Sequence, residues 1–472
     1  MNTDSTICAI STAAGTGGIA VIRVSGKDAI DITSKVWQGK PIGQMPSHTA
    51  HLGRIVGPDG YVVDEVVLTL FRSPRSFTGD DTIEISCHGS VWIQQQIINL
   101  LIAAGCRMAT GGEFTQRAFL NGRLDLSQAE AIADLIASSS QAAHRIAFSQ
   151  MRGQFSHRLA QLREQLLEFV SLMELELDFS EEDVEFADRT ELLQLCDEVD
   201  SVMSRLASSF SVGNAVKNGV PVAIVGETNT GKSTLLNALL REDRAIVSDI
   251  CGTTRDTIEG LMTLSGVSFR FIDTAGLRET HDVVERMGIE RTLEQLAKSS
   301  IALWLIDPTA DREQIEELAK KLLPVCREKK LAVLVNKCDI VDPITLSNAM
   351  EWGAQMVAKY GESVEWNSRD LWAISARQGT NLDRLEEFLM RSSAMPSIAA
   401  GDVVVTNVRH YEALVRALEN IKEVKQGLAD GISGDLVSEP LRAAIRNLSE
   451  ILGEVTSDEI LGNIFANFCI GK

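Results

Sequence analysis

The sequence predicts a multidomain protein with α/β and all-α parts, in which a doubly wound, mostly parallel sheet is inserted into a helical domain. The length of 472 residues exceeds what one hydrophobic core usually supports, so about three domains are expected. Strands alternate with helices from about residue 218 to 395, and apolar residues at helical spacing flank this region on both sides. Because neither helical stretch looks like a complete core, we expect the two to pack together.

The composition is that of an ordinary globular protein, with 44% hydrophobic and 23% charged residues. No apolar run reaches the roughly 18 residues of a membrane helix, so no membrane association is expected. The formal net charge of −20 disfavours broad contact with phosphate backbones, so a nucleic-acid substrate would need a partner that supplies basic surface. The eight cysteines include no CxxC pair, and the N-terminus fits no signal or transit peptide, so a reduced cytoplasmic protein is predicted.

Residues 1–120 alternate short apolar runs, such as "GGIAVIRVSG" and "YVVDEVVLTLF", with the helical stretch "VWIQQQIINLLIAAG". This pattern predicts an α+β or α/β domain. Long amphipathic helices follow, because apolar side chains recur at helical spacing, as at Leu159, Leu162, Leu166 and Met173. The stretch "SVGNAVKNG" is loop-like, and helices return after the insertion with "HYEALVRALENIKEVKQGLA" and "EPLRAAIRNLSEILGEV".

The first nucleotide motif is "GETNTGKST", from Gly226 to Thr234, which matches the phosphate-loop pattern G-x-x-x-x-G-K-[ST]. It lies between the strand "VPVAIVG" and a predicted helix, as the mechanism requires. Backbone N–H groups would bind the phosphates, Lys232 would contact the β and γ oxygens, and the Ser233 hydroxyl would bind Mg²⁺. A chance glycine-rich turn would be a serious rival only if this motif stood alone.

The motif "FIDTAG" places Asp273 after the next apolar strand, where it can anchor the Mg²⁺ shell, with the Gly276 N–H available to the γ-phosphate. Between the two motifs, "SDICGTTRDT" supplies Thr254 as a second hydroxyl ligand of Mg²⁺ in a predicted switch segment. Leu277 stands where many signalling GTPases carry the glutamine that orients the attacking water. Another residue or an ion must therefore replace that glutamine.

The base-recognition motif is "LAVLVNKCD", which places Asn336, Lys337 and Asp339 after a strand, at the edge where open α/β sheets bind ligands. Asp339 can accept hydrogen bonds from guanine N1–H and N2–H₂, an arrangement that adenine does not offer. The stretch "AISA", ending at Ser375 and Ala376, fits the last base-contacting loop. The sequence therefore predicts chemistry on the phosphates of GTP.

Five segments along the whole chain carry a family likeness: "GGIAVIRVSG", "SFTGDDTIEISCHGS", "GGEFTQRAFLNGRLDLSQAEAIADLI", "DTAGLRETHDVVERMGIER" and "TSDEILGNIFANFCIGK". Together they resemble the GTPases that modify the wobble uridine of tRNA. The resemblance implies a folate-binding-like N-terminal α/β domain for dimerisation over residues 1–120 and a helical domain in two parts, 121–217 and 396–472. It implies an inserted Ras-like P-loop GTPase domain over residues 218–395.

The resemblance also implies roles at the nucleotide site. In that family a K⁺ ion takes over part of the role of an arginine finger, and the matching positions here are Asn229, Ser248, Ile250 and Thr253, of which Ser248 stands where Thr is common. Glu285 matches the family's water-orienting glutamate, although without the family it would be read as a surface carboxylate. The residues expected at the GTP site are Asn229, Thr230, Gly231, Lys232, Ser233, Thr234, Ser248, Asp249, Ile250, Cys251, Gly252, Thr253, Thr254, Asp273, Thr274, Ala275, Gly276, Asn336, Lys337, Asp339, Ser375, Ala376 and Arg377.

The N-terminal domain resembles the folate-binding domain of glycine-cleavage aminomethyltransferases. This likeness implies that a one-carbon tetrahydrofolate, in its 5-formyl or methylene form, binds at the interface of a homodimer. The matching residues are Arg23, Glu84 and Arg123, and the resemblance brings Lys472 to the same pocket. Arg123 stands where Lys is common, and Thr16 lies where the family usually has "GRGG".

The implied reaction adds a carboxymethylaminomethyl or aminomethyl group to C5 of the wobble uridine of certain tRNAs, with the folate as carbon donor. An FAD-dependent tRNA modification protein is the implied partner, in a heterotetramer with the homodimer. GTP hydrolysis would drive conformational cycling of the G domains. Two alternatives stay open: a regulatory or ribosome-assembly GTPase without folate chemistry, and a folate-dependent aminomethyl transferase that acts on a protein or metabolite.

The stretch "ANFCIGK" gives Cys469 the position of the cysteine in a C-a-a-X prenylation box. Gly471 is not aliphatic, Lys472 is not a usual terminal residue, and no polybasic patch precedes the box, so prenylation is disfavoured. Two readings stay open. Cys469 either packs as a small apolar residue or is a catalytic thiolate that attacks C6 of uridine or assists proton transfer.

Overall fold

The computed structural model of the chain describes residues 5–178, 189–240, 259–272, 293–393, 403–432, 434–455, 458–466, 468 and 471. The strands are β1 (Ile7–Ile10), β2 (Ile19–Ser25), β3 (Trp37–Gln38), β4 (Thr49–Val56), β5 (Val62–Phe71), β6 (Thr82–His88), β7 (Arg107–Met108), β8 (Val220–Gly226), β9 (Glu259–Leu264), β10 (Val267–Ile272), β11 (Ile301–Ile306), β12 (Lys330–Val335) and β13 (Leu371–Ala373). The helices are α1 (Ala29–Ser34), α2 (Val91–Ala104), α3 (Glu113–Leu120), α4 (Leu126–Ala137), α5 (Gln141–Met151), α6 (Gln154–Asp178), α7 (Arg189–Asn218), α8 (Lys232–Leu239), α9 (Arg312–Leu322), α10 (Pro343–Tyr360), α11 (Leu382–Ser392), α12 (Val408–Ala429), α13 (Gly434–Leu452) and α14 (Asp458–Ala466).

The chain forms two compact units. The first unit comprises Met1–Ile136, Phe148–Ser201 and Ala413–Lys472, and the second comprises Ala137–Ala147 and Val202–Glu412. Among the helices of the described ranges, none is long and apolar enough to cross a bilayer.

The first unit contains a seven-stranded sheet in the order β3-β4-β5-β6-β2-β1-β7. β1 and β7 pair in parallel, and the other neighbouring strands pair antiparallel, which is the α+β alternative of the sequence prediction. Alternate residues of its central strands, such as Ile22, Val24, Ile83 and Ile85, are buried in a core that also contains residues of α1 and α2. Successive side chains of a strand point to opposite faces, so Arg23 and Glu84 lie on the face away from this core.

The two helical stretches that flank the predicted insertion pack together within the first unit, as the sequence predicts. Leu159, Leu162 and Leu166 on α6 are fully buried. Nε of Arg163 on the same helix donates a 2.6 Å hydrogen bond to Oγ of Ser449 on α13. Because each helix is amphipathic, neither would bury its apolar stripe without the other.

The prediction of a loop at "SVGNAVKNG" is wrong, because α7 continues without interruption to Asn218. Val216 is 3% exposed and packs in one cluster with Ile146 and Val404. Gly213 lies so close to Val405 that a Cβ there would stand 2.1 Å from the Val405 carbonyl oxygen. Tertiary packing of this turn thus overrides the low helix propensity of Gly and Asn.

The second unit contains a six-stranded sheet in the order β13-β12-β11-β8-β10-β9. All neighbours pair in parallel except β9 and β10, which confirms the predicted doubly wound, mostly parallel sheet. Every residue of β11 is buried, as expected for a central strand covered on both faces. The C-terminal ends of β8, β11, β12 and β13 therefore meet at one edge, where the predicted nucleotide motifs lie.

Candidate functional site

The phosphate loop joins β8, which ends at Gly226, to α8, which begins at Lys232. Asn229 and Gly231 adopt left-handed backbone conformations with φ of 63° and 95°. Glycine adopts this region at little cost, and a Cβ at Gly231 would lie only 2.3 Å from Nδ2 of Asn336. The loop thus ends at the unpaired N–H groups and positive dipole end of α8, an arrangement that binds phosphate.

Lys232 is held across this loop. Its Nζ donates to the carbonyl oxygens of Gly226 at 2.9 Å and Glu227 at 2.6 Å. The Thr230 hydroxyl closes the same turn with a 2.9 Å hydrogen bond to the Glu227 carbonyl. Ser233 is exposed in the first turn of α8, and its hydroxyl makes no hydrogen bond within the described part of the chain, so it is available to Mg²⁺.

The side chain of Asn336 connects its own loop by hydrogen bonds to the phosphate loop and to the loop of Ser375 and Ala376. Its side chain is 3% exposed, and Nδ2 donates a 2.7 Å hydrogen bond to the Thr230 carbonyl of the phosphate loop. Its Oδ1 accepts a 3.0 Å hydrogen bond from the Ala376 N–H. The structure therefore brings the loops of Asn336 and Ser375 to the phosphate loop. Asp339 is exposed and makes no hydrogen bond to any described residue, which leaves its carboxylate available to a base.

Asp307 belongs to this site although no motif of the sequence pointed to it. It directly follows β11, and its Oδ2 accepts a 2.6 Å hydrogen bond from Nζ of Lys337. Burial raises the pKa of Asp307, but hydrogen bonds from Lys337 and Thr309 outweigh burial and hold the pKa below its usual value. Burial and the nearby Asp307 carboxylate raise the pKa of Glu227. In the sequence, Asp307 could have been recognised as a site residue because it directly follows an apolar strand and precedes a proline.

Part of the predicted nucleotide site lies outside the described residues. Thr234 is exposed in the first turn of α8, and Arg377 is exposed after β13. The predicted residues beyond the described ranges are Ser248, Asp249, Ile250, Cys251, Gly252, Thr253, Thr254, Asp273, Thr274, Ala275, Gly276, Leu277, Glu285, Cys469 and Lys472.

The first unit holds a second candidate site around Arg23. Arg23 and Glu84 are directly opposite on β2 and β6, and the Arg23 Nε and Nη2 donate to Oε1 of Glu84 at 3.0 and 2.8 Å. The guanidinium carbon lies 5.2 Å from the ring centre of Phe77 and 5.6 Å from that of Phe114. Two aromatic rings and a carboxylate therefore fix a partly buried guanidinium, which is 18% exposed.

Gly471 brings the C-terminal tail to the same arginine. The Gly471 carbonyl accepts hydrogen bonds from Oγ of Ser11 at 3.1 Å and from Nη1 of Arg23 at 3.5 Å. Gly471 is buried with a φ of 98°, and a Cβ there would lie 2.3 Å from the Ile10 carbonyl oxygen. Only glycine fits this position, so the tail docks at the end of β1 by a contact that is specific to its sequence.

Two glycines before α3 make room for the residues that precede Gly471. A Cβ at Gly111 would lie 2.9 Å from the Phe468 carbonyl oxygen, and one at Gly112 would lie 2.7 Å from the Phe465 carbonyl oxygen. Phe465 and Phe468 belong to one apolar cluster with residues of α4. The tail is therefore anchored by apolar packing before it reaches Arg23.

An ion-pair cluster around the buried Glu113 and Arg117, with the more exposed Arg107, lies next to this site, and sequence reasoning missed it. Glu113 on α3 accepts hydrogen bonds from Nη2 of Arg107 at 2.5 Å and from Nη2 of Arg117 at 3.1 Å. Arg117 is 3% exposed and also donates to the Ser5 carbonyl at 2.7 Å. Because Glu113 directly precedes Phe114, the cluster fixes one of the two rings against Arg23.

Arg123 is not hydrogen-bonded to Arg23 or Glu84 in the described part of the chain. It is exposed after α3, and within the described ranges it makes no side-chain hydrogen bond to either residue. Its stem lies beside Gly79, where a Cβ would come 3.3 Å from Cγ of Arg123. Gly79 belongs to the same loop as Phe77, so Arg123 borders the loop that carries one ring of the site.

Two family models match the chain. A model described as the MnmE helical domain matches residues 126–469, and one described as the N-terminus of the GTP-binding protein TrmE matches residues 6–123. The chain is 53% identical over 476 residues to a tRNA modification GTPase MnmE of Bacteroides thetaiotaomicron, with 100% of each chain covered. It is 50% identical over 478 residues to the protein of that name from Flavobacterium johnsoniae, again with 100% of each chain covered.

Solved structures match the chain in part. Era of Aquifex aeolicus, bound to GDP and aluminium fluoride, is 28% identical with a TM-score of 0.28, covering 42% of this chain and 66% of that chain. The G domain of the T. maritima FeoB iron transporter is 23% identical with a TM-score of 0.25, covering 37% of this chain and 98% of that chain. Both scores are low, so neither likeness supports a statement about fold or function.

Proposed function

Because the chain belongs to the family of tRNA modification GTPases named MnmE, we propose that it hydrolyses GTP and modifies C5 of the wobble uridine of certain tRNAs. The observation that carries the GTP assignment is the joining of three loops by Asn336, with the Asp339 carboxylate left exposed beside them. A carboxylate in this position accepts from both guanine N–H donors. The domain bounds of 1–120, 121–217, 218–395 and 396–472 remain part of this proposal.

At the phosphates, Lys232 and the N–H groups at the start of α8 bind the β and γ oxygens. Ser233 and Thr254 hold Mg²⁺, which offsets charge on the phosphates, and the exposed Ser233 hydroxyl fits this role. Asn229, Ser248, Ile250 and Thr253 supply oxygen ligands for K⁺. Glu285 orients the attacking water in place of the glutamine that Leu277 cannot replace.

Replacement of Lys232 by Ala tests the phosphate site. We expect GTP hydrolysis to fall by at least about a hundredfold, because an electrostatic contact to the transferred phosphoryl group is lost. The control is Lys320→Ala, which removes an exposed lysine from α9 of the same unit. Hydrolysis by the wild type in KCl and in NaCl tests the potassium assignment, and equal rates would contradict it.

The site around Arg23 is proposed to bind a one-carbon tetrahydrofolate in its 5-formyl or methylene form. Glu84 suits the N–H donors of the pterin ring, and Arg23 suits carbonyl and carboxylate groups. The docked tail supports this assignment because it borders the same guanidinium, and Lys472 and Arg123 complete the pocket. The folate supplies the carbon that is transferred to uridine.

Folate binding distinguishes this proposal from a regulatory or ribosome-assembly GTPase. Equilibrium binding of 5-formyltetrahydrofolate to the wild type and to Glu84→Gln is the direct measurement. We expect the binding to weaken at least about tenfold in the variant, because a charged acceptor is lost. Glu65→Gln is the control, since Glu65 is an exposed partner of Arg54 on the same sheet. A wild type that does not bind folate favours the alternative.

Cys469 is proposed as the catalytic thiol that attacks C6 of uridine or assists proton transfer. The Cys469→Ser variant should lose tRNA modification and keep GTP hydrolysis. Loss of both activities would instead indicate that Cys469 packs as an apolar residue.

GTP hydrolysis is proposed to drive conformational cycling of the G domains. The Glu285→Ala variant should therefore lose both hydrolysis and modification. If it retained full modification without hydrolysis, this coupling would be wrong.

The partners proposed are a second copy of this chain, an FAD-dependent tRNA modification protein in a heterotetramer, and tRNA in the cytoplasm. Because the chain is acidic, with a net charge of −20, the partner would supply much of the basic surface that binds tRNA. Mass spectrometry of tRNA nucleosides from a strain without this chain tests the whole proposal. Unchanged wobble uridines would overturn it, and that result would also leave the aminomethyl transferase alternative open.

A further inference from the structure

The base-recognition loop is attached to the rest of the second unit on two sides. On one side, the Asn336 side chain bonds to Thr230 and Ala376. On the other side, Nζ of Lys337 reaches the Asp307 carboxylate at the end of β11. Asp339 follows Lys337 by two residues and has no attachment of its own within the described ranges. Cys338, directly before Asp339, donates its N–H to the Ile374 carbonyl at 3.1 Å. The position of Asp339 therefore depends on how firmly the three preceding residues are held.

Lys337 is in a backbone conformation that demands such support. Its φ is 63°, in the left-handed region that residues other than glycine, Asn and Asp seldom adopt. The Asp307 carboxylate that receives it is itself rigid, because Oδ1 accepts hydrogen bonds from the N–H and hydroxyl of Thr309 at 3.0 and 2.7 Å. The side chain of Asp307 is only 14% exposed, so water competes weakly for Lys337.

We infer that Asp307 is a positioning residue for guanine recognition, which acts through Lys337 to fix the loop that presents Asp339 to the base. The inference rests on the proposed GTP site and adds a residue outside its motifs. Without the ion pair, the left-handed turn at Lys337 relaxes, and Asp339 loses its alignment with the two N–H donors of guanine. Binding then loses the benefit of a preorganised loop.

Replacement of Asp307 by Asn tests this role with nearly the same shape. In the full chain, calorimetric titration should show GDP and GTP binding weakened by a similar factor of about ten, because a charge-assisted hydrogen bond is lost. The maximal rate of hydrolysis at saturating GTP should stay within about twofold of wild type. The exposed Asp311→Asn, four residues later at the start of α9, is the matched control and should bind GDP as the wild type does.

A second readout separates positioning from mere stability. Inosine diphosphate lacks the guanine 2-amino group, so the ratio of its Kd to that of GDP reports how well Asp339 contacts both donors. We expect Asp307→Asn to reduce this ratio about threefold. In a Lys337→Met background, Asp307→Asn should cause no further loss, because the two residues act as one pair.

The outcomes are distinct. Unchanged GDP affinity and an unchanged inosine-to-guanine ratio in Asp307→Asn would overturn the inference while the GTP site stands. A lower melting temperature with the ratio intact would overturn it as well, since the residue would then be only structural. A wild type that binds no GDP would reject the site itself.

Discussion

Glu113 is a buried carboxylate that accepts hydrogen bonds from two arginines and a backbone N–H. Burial by itself would raise its pKa, but hydrogen bonds from Arg107, the Thr110 N–H and Arg117 outweigh burial and lower the pKa to about 2. Arg117 in turn depends on Glu113, because Nε and Nη1 of this buried guanidinium have no hydrogen-bond partner in the described structure. At the scale of one residue, the candidate site around Arg23 is bordered by a carboxylate whose pKa is lowered by its hydrogen bonds.

Replacement of Glu113 by Gln should destabilise the first unit at pH 7 by about 3 kcal/mol, the free energy that corresponds to a pKa lowered from 4.5 to about 2. Because the folded-state pKa lies below the unfolded value of 4.5, the contribution is complete only well above pH 4.5 and is lost progressively as the pH falls from there towards 2. Urea unfolding of the variant and the wild type between pH 7 and pH 2.5 measures this difference. Glu65→Gln is the exposed control, and a difference that does not shrink on acidification would contradict the linkage.

The residues of the two sites differ in how far the sequence could predict them. Lys232, Asn336 and Asp339 belong to motifs whose spacing carries the chemistry, so Lys232 could be placed at the start of a helix and Asn336 and Asp339 after a strand. Arg23 and Glu84 could be paired only through the family resemblance, because strand alternation does not determine the register that sets them opposite each other. Asp307 and Glu113 belong to no motif, and their roles depend on contacts across the fold.

At the scale of elements, α7 shows where local propensity misleads. Its last turns contain Gly and two Asn residues, which predict a loop, yet they are helical because Val216 and Gly213 pack against neighbouring chain. The strands and the long helices were predictable because their periodicity is strong. The docking of Phe468 and Gly471 could not be predicted from periodicity, because it depends on close contacts of individual glycines.

Replacement of Gly213 by Ala should destabilise the second unit by about 1–3 kcal/mol, although the same change usually stabilises a helix interior. The reason is the 2.1 Å approach of the new Cβ to the Val405 carbonyl oxygen. Gly462→Ala in α14 is the matched control, because nothing lies within 4 Å of a Cβ at that position. In thermal unfolding, Gly213→Ala should lower the melting temperature and Gly462→Ala should raise it. A Gly213→Ala variant with a raised melting temperature would contradict the close packing.

Replacement of Gly471 by Ala should release the tail from β1. The new Cβ would lie 2.3 Å from the Ile10 carbonyl oxygen, in a left-handed conformation that disfavours Ala. We expect faster hydrogen exchange around Ser11 and weaker folate binding, with GTP hydrolysis unchanged. Gly462→Ala again serves as control. Folate affinity equal to that of the wild type would show that tail docking does not shape the pocket.

At the scale of the whole molecule, the chain divides its two candidate sites between two compact units, each with its own sheet. The sequence predicted about three domains, with the nucleotide motifs and the residues of the site around Arg23 in different ones, because motif order and the switch from strand to helix periodicity are visible along the chain. The helices α5, α7 and α12 each contribute residues to both units. The spacing of apolar residues predicts that a helix forms. It does not indicate against which hydrophobic core each turn of that helix packs.

Binding of GDP should stabilise the second unit in preference to the first, because a ligand stabilises the region whose folding creates its site. Hydrogen exchange with and without saturating GDP measures this effect. We expect slower exchange in residues 226–234, 336–339 and 375–377, and no change in β4 and β5 of the first unit. Equal protection of both sheets would contradict the assignment of the nucleotide to one unit.

The contact between Ser11 and Gly471 also has a consequence for how the protein is made. The two residues are 460 positions apart, so the contact can form only after the residues between them have been synthesised. At a translation rate of about 5–20 residues per second, the early strand waits roughly 20–90 s for its partner. A nascent chain can complete the sheet of the first unit early, but it lacks this contact until Gly471 has been translated. A product that terminates before Gly471 would therefore lack one side of the candidate site around Arg23.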